Sequence, residues 1–301
     1  MSIRAGFVGV IGLPNAGKST MVNHLIGEKV SIVTPRAQTT RQRVLGILSD
    51  SDGQVVFVDA PGLTERPGPI NEFLRREFSS VVSESDGLVV VIDMKNDPKE
   101  EIDKIITQVK LSRKPHIIVL NKMDLVDEAQ IGFWTDFLKP QACKIKVLSA
   151  LDKTGHLKQL LWHDLLELMP ECEKPLYDSE LYTTQNVREM VNEIIREKCF
   201  ECLRQEIPYG LAIRTLSFDE DSNESLTKIF AEILVAKENH KPMVIGTKGG
   251  MLKDIGLKSR EEIEKLLGKK VYLNLHVQAR PEWMKSKTFM KELGYVRNER
   301  H

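Results

Sequence analysis

In the first half of the chain, short runs of β-branched and other apolar residues alternate with longer segments in which apolar residues recur at helical spacing. The short runs predict strands over 7–11, 55–58, 88–92, 116–120 and 146–148. Helical spacing is clear over 102–111 and 156–168. This alternation predicts a mostly parallel sheet with helices on both faces. Ligands of such sheets bind beyond the carboxyl ends of the strands, so candidate chemistry is expected there.

The pattern is interrupted around residues 169–175, where two prolines and a change of charge indicate a domain boundary. We expect a first domain over 1–170, a linker over 171–183 and a second domain over 184–301. The second domain is predicted to combine helices and strands: a helix near 184–205, strands at 210–218 and 226–237, a helical region up to residue 267, and a strand at 271–277.

Composition places the chain among ordinary globular proteins. Hydrophobic residues make up 41%, charged residues 29%, and the formal net charge is zero, which excludes collagen-like and disordered classes. The charge is unevenly distributed: residues 171–236 hold 7 Lys and Arg against 14 Asp and Glu, whereas residues 237–301 hold 15 against 8. The basic end of the chain is either a phosphate-attracting surface or an ordinary lysine-rich one.

Cysteine usage and hydropathy favour a cytoplasmic protein. The four cysteines are too few for a disulfide framework, and no apolar run reaches the roughly 18 residues that a membrane span requires. Cys199 and Cys202 form a single C-x-x-C within a predicted helix, which favours a structural pair over a metal or redox site.

Residues 12–19, Gly-Leu-Pro-Asn-Ala-Gly-Lys-Ser, match the phosphate-binding pattern G-x-x-x-x-G-K-[ST]. They lie directly between the first predicted strand and a helix that begins near Thr20, as the pattern requires. The glycines let the loop wrap phosphates, and the backbone N–H groups of residues 15–20 are expected to point inward. Lys18 is expected to contact the β- and γ-phosphates, and the Ser19 hydroxyl to ligate Mg²⁺.

A second motif, Asp-Ala-Pro-Gly at residues 59–62, begins with an acidic residue and follows the strand at 55–58. Asp59 suits a direct or water-mediated Mg²⁺ contact. The Gly62 N–H can bond the γ-phosphate only while that phosphate exists, so the loop after it is a candidate switch. Residues 38–42 can supply a second Mg²⁺-binding hydroxyl, for which we favour Thr40 over Thr39; the alternative is an ordinary threonine-rich loop.

Residues 121–124, Asn-Lys-Met-Asp, follow another strand and are expected to select the base. The Asp124 carboxylate can accept from the N1–H and the exocyclic amine of guanine, a donor pair that adenine lacks. Asn121 is expected to brace the neighbouring loops, and the backbone N–H of Ala150, within Ser-Ala-Leu at 149–151, to reach guanine O6. The residues assigned to GTP are Gly12, Leu13, Pro14, Asn15, Ala16, Gly17, Lys18, Ser19, Thr20, Asp59, Ala60, Pro61, Gly62, Asn121, Lys122, Met123, Asp124, Ser149, Ala150 and Leu151.

In the second domain, Gly-Thr-Lys-Gly at 246–249 fits the G-x-x-G loop of a KH fold, which lets a nucleic-acid backbone approach closely. A G-x-x-G alone is usually a turn, but its position between predicted strands in a basic segment favours RNA. Lys248 is expected to meet phosphate, and Lys269 and Lys270 extend the basic edge. The residues assigned to RNA are Gly246, Thr247, Lys248, Gly249, Gly250 and Lys253.

These motifs, with Q-T-T-R-Q-R at 38–43, V-I-G-T-K-G-G-M-L-K-D-I-G at 244–256 and G-K-K-V-Y-L at 268–273, resemble those of the translation-factor-related GTPases and, within them, the Era family. The match covers nearly the whole chain. The resemblance implies an α/β P-loop GTPase domain followed by an α+β type II KH domain. It also implies binding to the 3′ end of 16S ribosomal RNA and a role in assembly of the 30S ribosomal subunit.

Leu63 bears on the mechanism, because Ras-like GTPases carry at this position a glutamine that positions the attacking water, and a leucine side chain cannot form hydrogen bonds. Asn15 resembles the asparagine with which related GTPases bind K⁺. We therefore expect slow hydrolysis assisted by K⁺, with Lys18, Asn15 and Thr40 as the catalytic residues.

Three functions compete at this point. The favoured one is a GTP-hydrolysing switch whose nucleotide state gates RNA binding by the second domain. The second is a constitutive RNA-binding assembly protein in which GTP is structural. The third is a regulator attached peripherally to the inner face of the cell membrane, which the basic end permits although no amphipathic anchor or lipidation motif is evident. A monomer is expected.

Overall fold

The computed structural model describes residues 2–34, 43–63, 68–141, 143–151, 155–220, 225–293 and 295. The chain divides into two compact units, Met1–Thr184 and Gln185–His301. The division lies beyond the segment 171–183, which the sequence predicts as a linker. Residues of that segment bond to the first unit: the Gln54 side chain donates to Tyr177 O (2.9 Å), and the Ile47 N–H donates to Tyr182 O (2.8 Å). Their backbone is therefore anchored on the first unit.

The first unit is built on a seven-stranded sheet. Its strands are β1 (Ile3–Ile11), β2 (Val44–Asp50), β3 (Gly53–Asp59), β4 (Gly87–Asp93), β5 (His116–Asn121), β6 (Lys144–Val147) and β7 (Glu171–Cys172). The order is β2-β3-β1-β4-β5-β6; β2 runs antiparallel to β3, β7 pairs antiparallel with β1, and the other neighbours are parallel. Its helices are α1 (Lys18–Ile26), α2 (Pro69–Glu84), α3 (Lys99–Ser112), α4 (Glu128–Leu138) and α5 (Leu157–Glu167).

Strand β4 shows why the apolar runs of this unit become central strands. Each of its residues is buried. Val89 and Val91 pack into the core shared with α1 and α5, whereas Leu88, Val90 and Ile92 pack into the core shared with α2, α3 and α4. A strand covered on both faces needs apolar residues at every position rather than at alternate ones. The predicted parallel sheet with helices on both faces is confirmed.

The edge strand β2 is absent from the set of strands that the sequence predicts. Its apolar pattern is interrupted by Gly46, a residue that weakens a strand. The structure gives the reason for the glycine: a Cβ at this position would lie 2.3 Å from Ile26 Cδ1 and 3.2 Å from Val30 Cγ2. Gly46 therefore lets α1 and the loop after it pack directly on the strand.

The second unit combines a three-stranded sheet with helices. Its elements are α6 (Val187–Cys202), β8 (Leu211–Asp219), β9 (Leu226–Val235), α7 (His240–Ile245), α8 (Gly250–Leu267), β10 (Lys270–Ala279) and α9 (Lys287–Glu292). The order is β10-β9-β8, with β10 parallel and β8 antiparallel to β9. Helices α6 and α8 cover one face of the sheet: Ile195 of α6 and Ile263 of α8 share an apolar core with Ile229 of β9. The predicted α+β unit is confirmed. Across the part of the chain that the structure describes, no helix is both long enough and apolar enough to span a membrane.

Candidate functional site

The loop of residues 12–17 joins β1 to α1 and depends on its two glycines. Gly12 and Gly17 have φ values of 152° and 98°, in the region that side chains rarely adopt. A Cβ at Gly12 would lie 2.3 Å from Val91 O, and one at Gly17 would lie 2.2 Å from Asn121 Nδ2. Both positions therefore exclude any side chain, and the loop stays close to the ends of β4 and β5.

Lys18, the first residue of α1, is buried at the centre of this loop. Its Nζ donates to Leu13 O (2.8 Å) and Gly12 O (3.3 Å). Burial lowers the pKa of Lys18, while the negative charges of Asp59 and Asp97 oppose that shift. An ammonium group held by carbonyls beside the first N–H groups of a helix forms a site for a phosphate.

Asp59, at the carboxyl end of β3, is fully buried beside the same helix end. The Ser19 hydroxyl donates to Asp59 Oδ2 at 2.6 Å. The other oxygen, Oδ1, is buried and has no hydrogen-bond partner among the described residues. Burial raises the pKa of Asp59, opposed by the Ser19 hydrogen bond and by Lys18. An unpartnered carboxylate oxygen beside a hydroxyl suits a hard cation such as Mg²⁺.

The protein supplies only part of a complete metal shell here. Within the described ranges, no group of three or more His, Cys, Asp or Glu side chains could hold a metal ion. A cation at Ser19 and Asp59 would therefore take further oxygen ligands from water or from phosphates, as Mg²⁺ commonly does. Thr40 and its rival Thr39, predicted to supply a second hydroxyl, lie outside the described residues.

The backbone after Asp59 passes directly beside the phosphate loop. A Cβ at Gly62 would lie 2.6 Å from Pro14 N, and the Leu63 N–H donates to Gly12 O at 3.3 Å. The Leu63 side chain packs against the apolar core under α2. Of the residues predicted to switch, 38–42 and the loop after Gly62, Leu63 is described and the others fall within the undescribed segments 35–42 and 64–67.

Asn121 connects two loops through its side-chain amide. Its Nδ2 donates to Ala16 O at 2.7 Å, and its Oδ1 accepts from the Ala150 N–H at 2.8 Å. The residue is buried at the end of β5. The Ala150 N–H, assigned from the sequence to guanine O6, is therefore directed to Asn121 in this structure.

Lys122 makes the second link between the motifs. Its Nζ donates to Asn15 O (2.7 Å) and pairs with Asp93 Oδ2 (2.6 Å). Asp93 is buried at the end of β4, and its N–H donates to Asp97 Oδ2 at 2.7 Å. Burial raises the pKa of Asp97 to about 7. Asp93 and Asp97 are functional candidates that are not among the residues predicted from the motifs; the signal for them in the sequence is an aspartate at the end of a buried strand and a second one four residues later.

These elements enclose a cleft of about 590 Å³ in the first unit. Thirteen of the residues predicted to bind GTP line it: Leu13, Pro14, Asn15, Gly17, Lys18, Ser19, Thr20, Gly62, Asn121, Lys122, Ser149, Ala150 and Leu151. The lining also includes residues outside the prediction: Ile32, Val33, Thr34, Asp93, Asn96, Asp97, Pro98 and Glu101.

The remaining seven predicted residues do not line the cleft, for two physical reasons. Five are buried behind its wall: Gly12, Ala16, Asp59, Ala60 and Pro61. Met123 and Asp124 lie instead in the one-turn helix Met123–Leu125, where both are exposed to solvent. That turn begins directly after Lys122, which lines the cleft, so Asp124 is only two residues away from a lining residue.

In the second unit, the predicted RNA loop joins α7 to α8. Gly246, Lys248 and Gly249 all have positive φ (73°, 52° and 77°). A Cβ at Gly246 would lie 2.6 Å from Met251 Cβ, whereas one at Gly249 would meet open space. Of the other residues assigned to RNA, Thr247, Lys248, Gly250 and Lys253 are exposed. The loop therefore offers its backbone and Lys248 to a ligand, and the following helix α8 offers Lys253.

Comparison with known proteins matches each of the two units to a different family model. A family model described as "50S ribosome-binding GTPase" matches residues 7–122, and a KH domain model matches residues 206–284. The chain is 38% identical to GTPase Era of Nitratidesulfovibrio vulgaris (strain DSM 19637 / Miyazaki F), over 97% of each chain. It is 35% identical to GTPase Era of Syntrophus aciditrophicus (strain SB), over 97% of this chain and 95% of that relative.

Two solved structures resemble the whole chain. One is a variant of Aquifex aeolicus Era bound to GDP and AlF4⁻, with a TM-score of 0.90, 33% identity, and coverage of 98% of this chain and 100% of that one. The other is Era in complex with MgGDPNP and nucleotides 1506–1542 of 16S ribosomal RNA, with a TM-score of 0.89, 34% identity, and coverage of 98% and 99%.

Proposed function

Because the chain belongs to the Era family of GTPases, we propose that it couples GTP hydrolysis in the cleft of its first unit to binding of 16S ribosomal RNA by its KH domain. The proposed setting is assembly of the 30S ribosomal subunit. The observation that carries the proposal is the buried Lys18 beside the Ser19–Asp59 hydrogen bond, with one Asp59 oxygen unpartnered.

In the proposed mechanism, Lys18 transfers its ammonium hydrogen bonds from the loop carbonyls to the β- and γ-phosphates of GTP. Its positive charge then stabilises the negative charge that develops as the phosphoryl group moves to water. Ser19, Asp59 and Thr40 would hold Mg²⁺, which when bound neutralises charge on the phosphate oxygens. The Mg²⁺ in the related Era complex with GDPNP supports this assignment.

Base selection is proposed to rest on Asp124. An ionised carboxylate on the exposed turn after Lys122 can accept both guanine donors. Asn121 holds the 149–151 loop in place through the Ala150 N–H. Because the Ala150 N–H already donates to Asn121, it can bond to guanine O6 only as a shared donor. The role of Ala150 therefore differs from the one predicted from the sequence.

We expect hydrolysis to be faster in KCl than in NaCl, because Leu63 offers no side-chain hydrogen bond and an added cation must supply positive charge near the phosphates. Asn15 lines the cleft with φ of 66°, and its carbonyl is held by Lys122. Its amide oxygen suits a monovalent cation. Turnover measured in the two salts should differ by roughly tenfold, and Asn15→Ala should remove the difference.

The control for this prediction is Asn96→Ala. Asn96 also lines the cleft, but its side chain donates to Asp93 rather than lying in the phosphate loop. This variant should keep the preference for K⁺. Equal turnover of the unmodified chain in both salts, or a preference that survives Asn15→Ala, would remove the proposed K⁺ site.

Gly249→Asp is expected to weaken binding of an oligonucleotide from the 3′ end of 16S rRNA by at least about tenfold, while GTP affinity is unchanged. The new carboxylate would project into open space where the RNA backbone approaches, so it would repel phosphates. Lys265→Gln, at the far end of α8, changes the charge by the same amount and should have little effect. Loss of both GTP and RNA binding would contradict two separable sites.

The same RNA titration with GTP, with GDP and without nucleotide separates the candidate functions. A nucleotide-gated switch requires different affinities in the three states. Equal affinities would favour the constitutive RNA-binding protein with structural GTP. Peripheral attachment to a membrane and the monomeric state stay predictions from the sequence.

A further inference from the structure

The second unit leaves part of one face of its sheet exposed, although Ala212 and Leu234 on that side are buried. Residues of β9 and β10 that point toward α6 and α8, such as Ile229 and Val271, are buried in the apolar core. Along each strand, the side chains at the intervening positions point to the opposite face of the sheet. We call this surface the aromatic face; it consists of Lys228 and Phe230 on β9 and Tyr272, Asn274 and His276 on β10, all of them exposed.

Two neighbouring aromatic rings form the centre of this face. Phe230 and Tyr272 lie with ring centroids 6.0 Å apart and ring planes inclined by 59°. They keep 39% and 49% of their surface exposed. Phe230 is paired in register with Asn274, two residues beyond Tyr272, so the rings are diagonal neighbours on one side of the sheet. Exposed, adjacent rings that the core does not use indicate a binding surface.

One lysine lies directly beside the rings and can contact the phosphate of a stacked nucleotide. Lys228 is the register partner of Tyr272; on β10, Lys270 lies two residues before Tyr272 and His276 lies two residues after Asn274. Three acids moderate this charge. Asp219 is the register partner of Lys228 on β8, Glu264 contacts Lys270 Nζ at 3.4 Å, and Glu232, the register partner of His276, pairs with Arg214 at 2.7 Å. The Asn274 amide adds a donor and an acceptor for the edge of a base.

We propose that the aromatic face binds single-stranded nucleic acid by stacking bases on Phe230 and Tyr272, at a second site separate from the G-x-x-G loop. Every base has a π-face, so stacking on exposed rings tolerates any sequence, and nearby lysines hold the backbone. The G-x-x-G loop joins α7 to α8, and α8 packs on the opposite side of the same sheet. The two sites can therefore be inactivated independently.

The test uses the full chain carrying Gly249→Asp, which removes the G-x-x-G contribution, and a short fluorescent oligouridylate. Replacing both Phe230 and Tyr272 by Leu should lower its affinity by roughly tenfold or more, because leucine keeps the apolar volume but cannot stack. Phe230→Tyr should bind like the parent. With two lysines involved, the slope of log affinity against log salt should be about −1 to −2.

Leu216→Ala is the matched control. Leu216 is an exposed apolar residue at the β8 bulge, next to Ser217, the register partner of Phe230. It should bind the oligonucleotide like the parent. An equal loss for Leu216→Ala would show that the loss of affinity is not specific to stacking on the rings and would overturn the proposal, as would unchanged affinity of the double leucine variant.

A second measurement does not depend on the folding of any variant. The unsubstituted chain is irradiated with an oligonucleotide that carries 5-iodouridine, and the cross-linked peptides are identified by mass spectrometry. We expect adducts on Phe230 or Tyr272 in addition to those near the G-x-x-G loop. Cross-links confined to the residues around the loop would overturn the second site without affecting the proposed function.

Discussion

Replacing Lys18 by Met is expected to slow GTP hydrolysis by about 10²–10³-fold, the effect of removing one pre-positioned charge from a phosphoryl-transfer site. Methionine has a similar length and can occupy the buried volume, but it carries no charge and no donor. It would also remove the Lys18 hydrogen bonds to the carbonyls of Gly12 and Leu13, at a net cost of about 1 kcal/mol each, although these carbonyls still accept from the Leu63 and Ala16 N–H groups. Single-turnover hydrolysis and calorimetric binding of GDP measure the two effects separately.

Lys29→Met provides the control for Lys18. Lys29 is exposed shortly after the end of α1 and does not line the cleft, so the same substitution changes the total charge equally at a position outside the cleft lining. It should hydrolyse GTP at the rate of the unmodified chain. If Lys18→Met retained hydrolysis within about twofold of that rate, the assignment of the catalytic charge to Lys18 would be wrong.

Asp124→Asn is expected to lower GTP affinity by about 10³-fold or more, because an amide cannot accept from two guanine donors at once. The lost discrimination has a predicted direction: the asparagine amide can donate to the C2 oxygen of xanthine, so xanthosine triphosphate should bind better than GTP. Competition between the two nucleotides in a fluorescence displacement assay gives the ratio directly.

Asp127→Asn makes the same chemical change three residues away. Asp127 caps α4 by accepting from the Gln130 N–H, a contact that asparagine also makes. This variant should retain GTP affinity and base preference. Retention of the guanine preference by Asp124→Asn would place base recognition elsewhere in the cleft.

The sequence predicted the central strands of the first unit because burial on both faces requires unbroken apolar runs. The run at 88–92 lies within β4. The phosphate loop was likewise predictable, since its glycines, lysine and serine are consecutive in the chain. The edge strand β2 was missed because Gly46 interrupts its pattern for a packing reason that only the tertiary structure supplies.

Contacts between distant segments were beyond a single sequence. Asp93 and Asp97 reach the cleft only because the strand order places β4 between β1 and β5. The pairing of Lys122 with Asn15 and Asp93 joins three segments in one place. Phe230 and Tyr272 are 42 positions apart in the chain and become neighbours through the parallel register of β9 with β10.

Asn121 has a consequence for any attempt to redesign nucleotide preference. Its amide nitrogen and its amide oxygen each bond to one of the two loops that it joins, and its Nδ2 lies so close to Gly17 that a side chain at residue 17 would clash with it. Exchanging Asn121 would therefore deform the phosphate cradle along with the base pocket. A change of purine preference is therefore best attempted at the exposed turn Met123–Leu125, with Asn121 left unchanged.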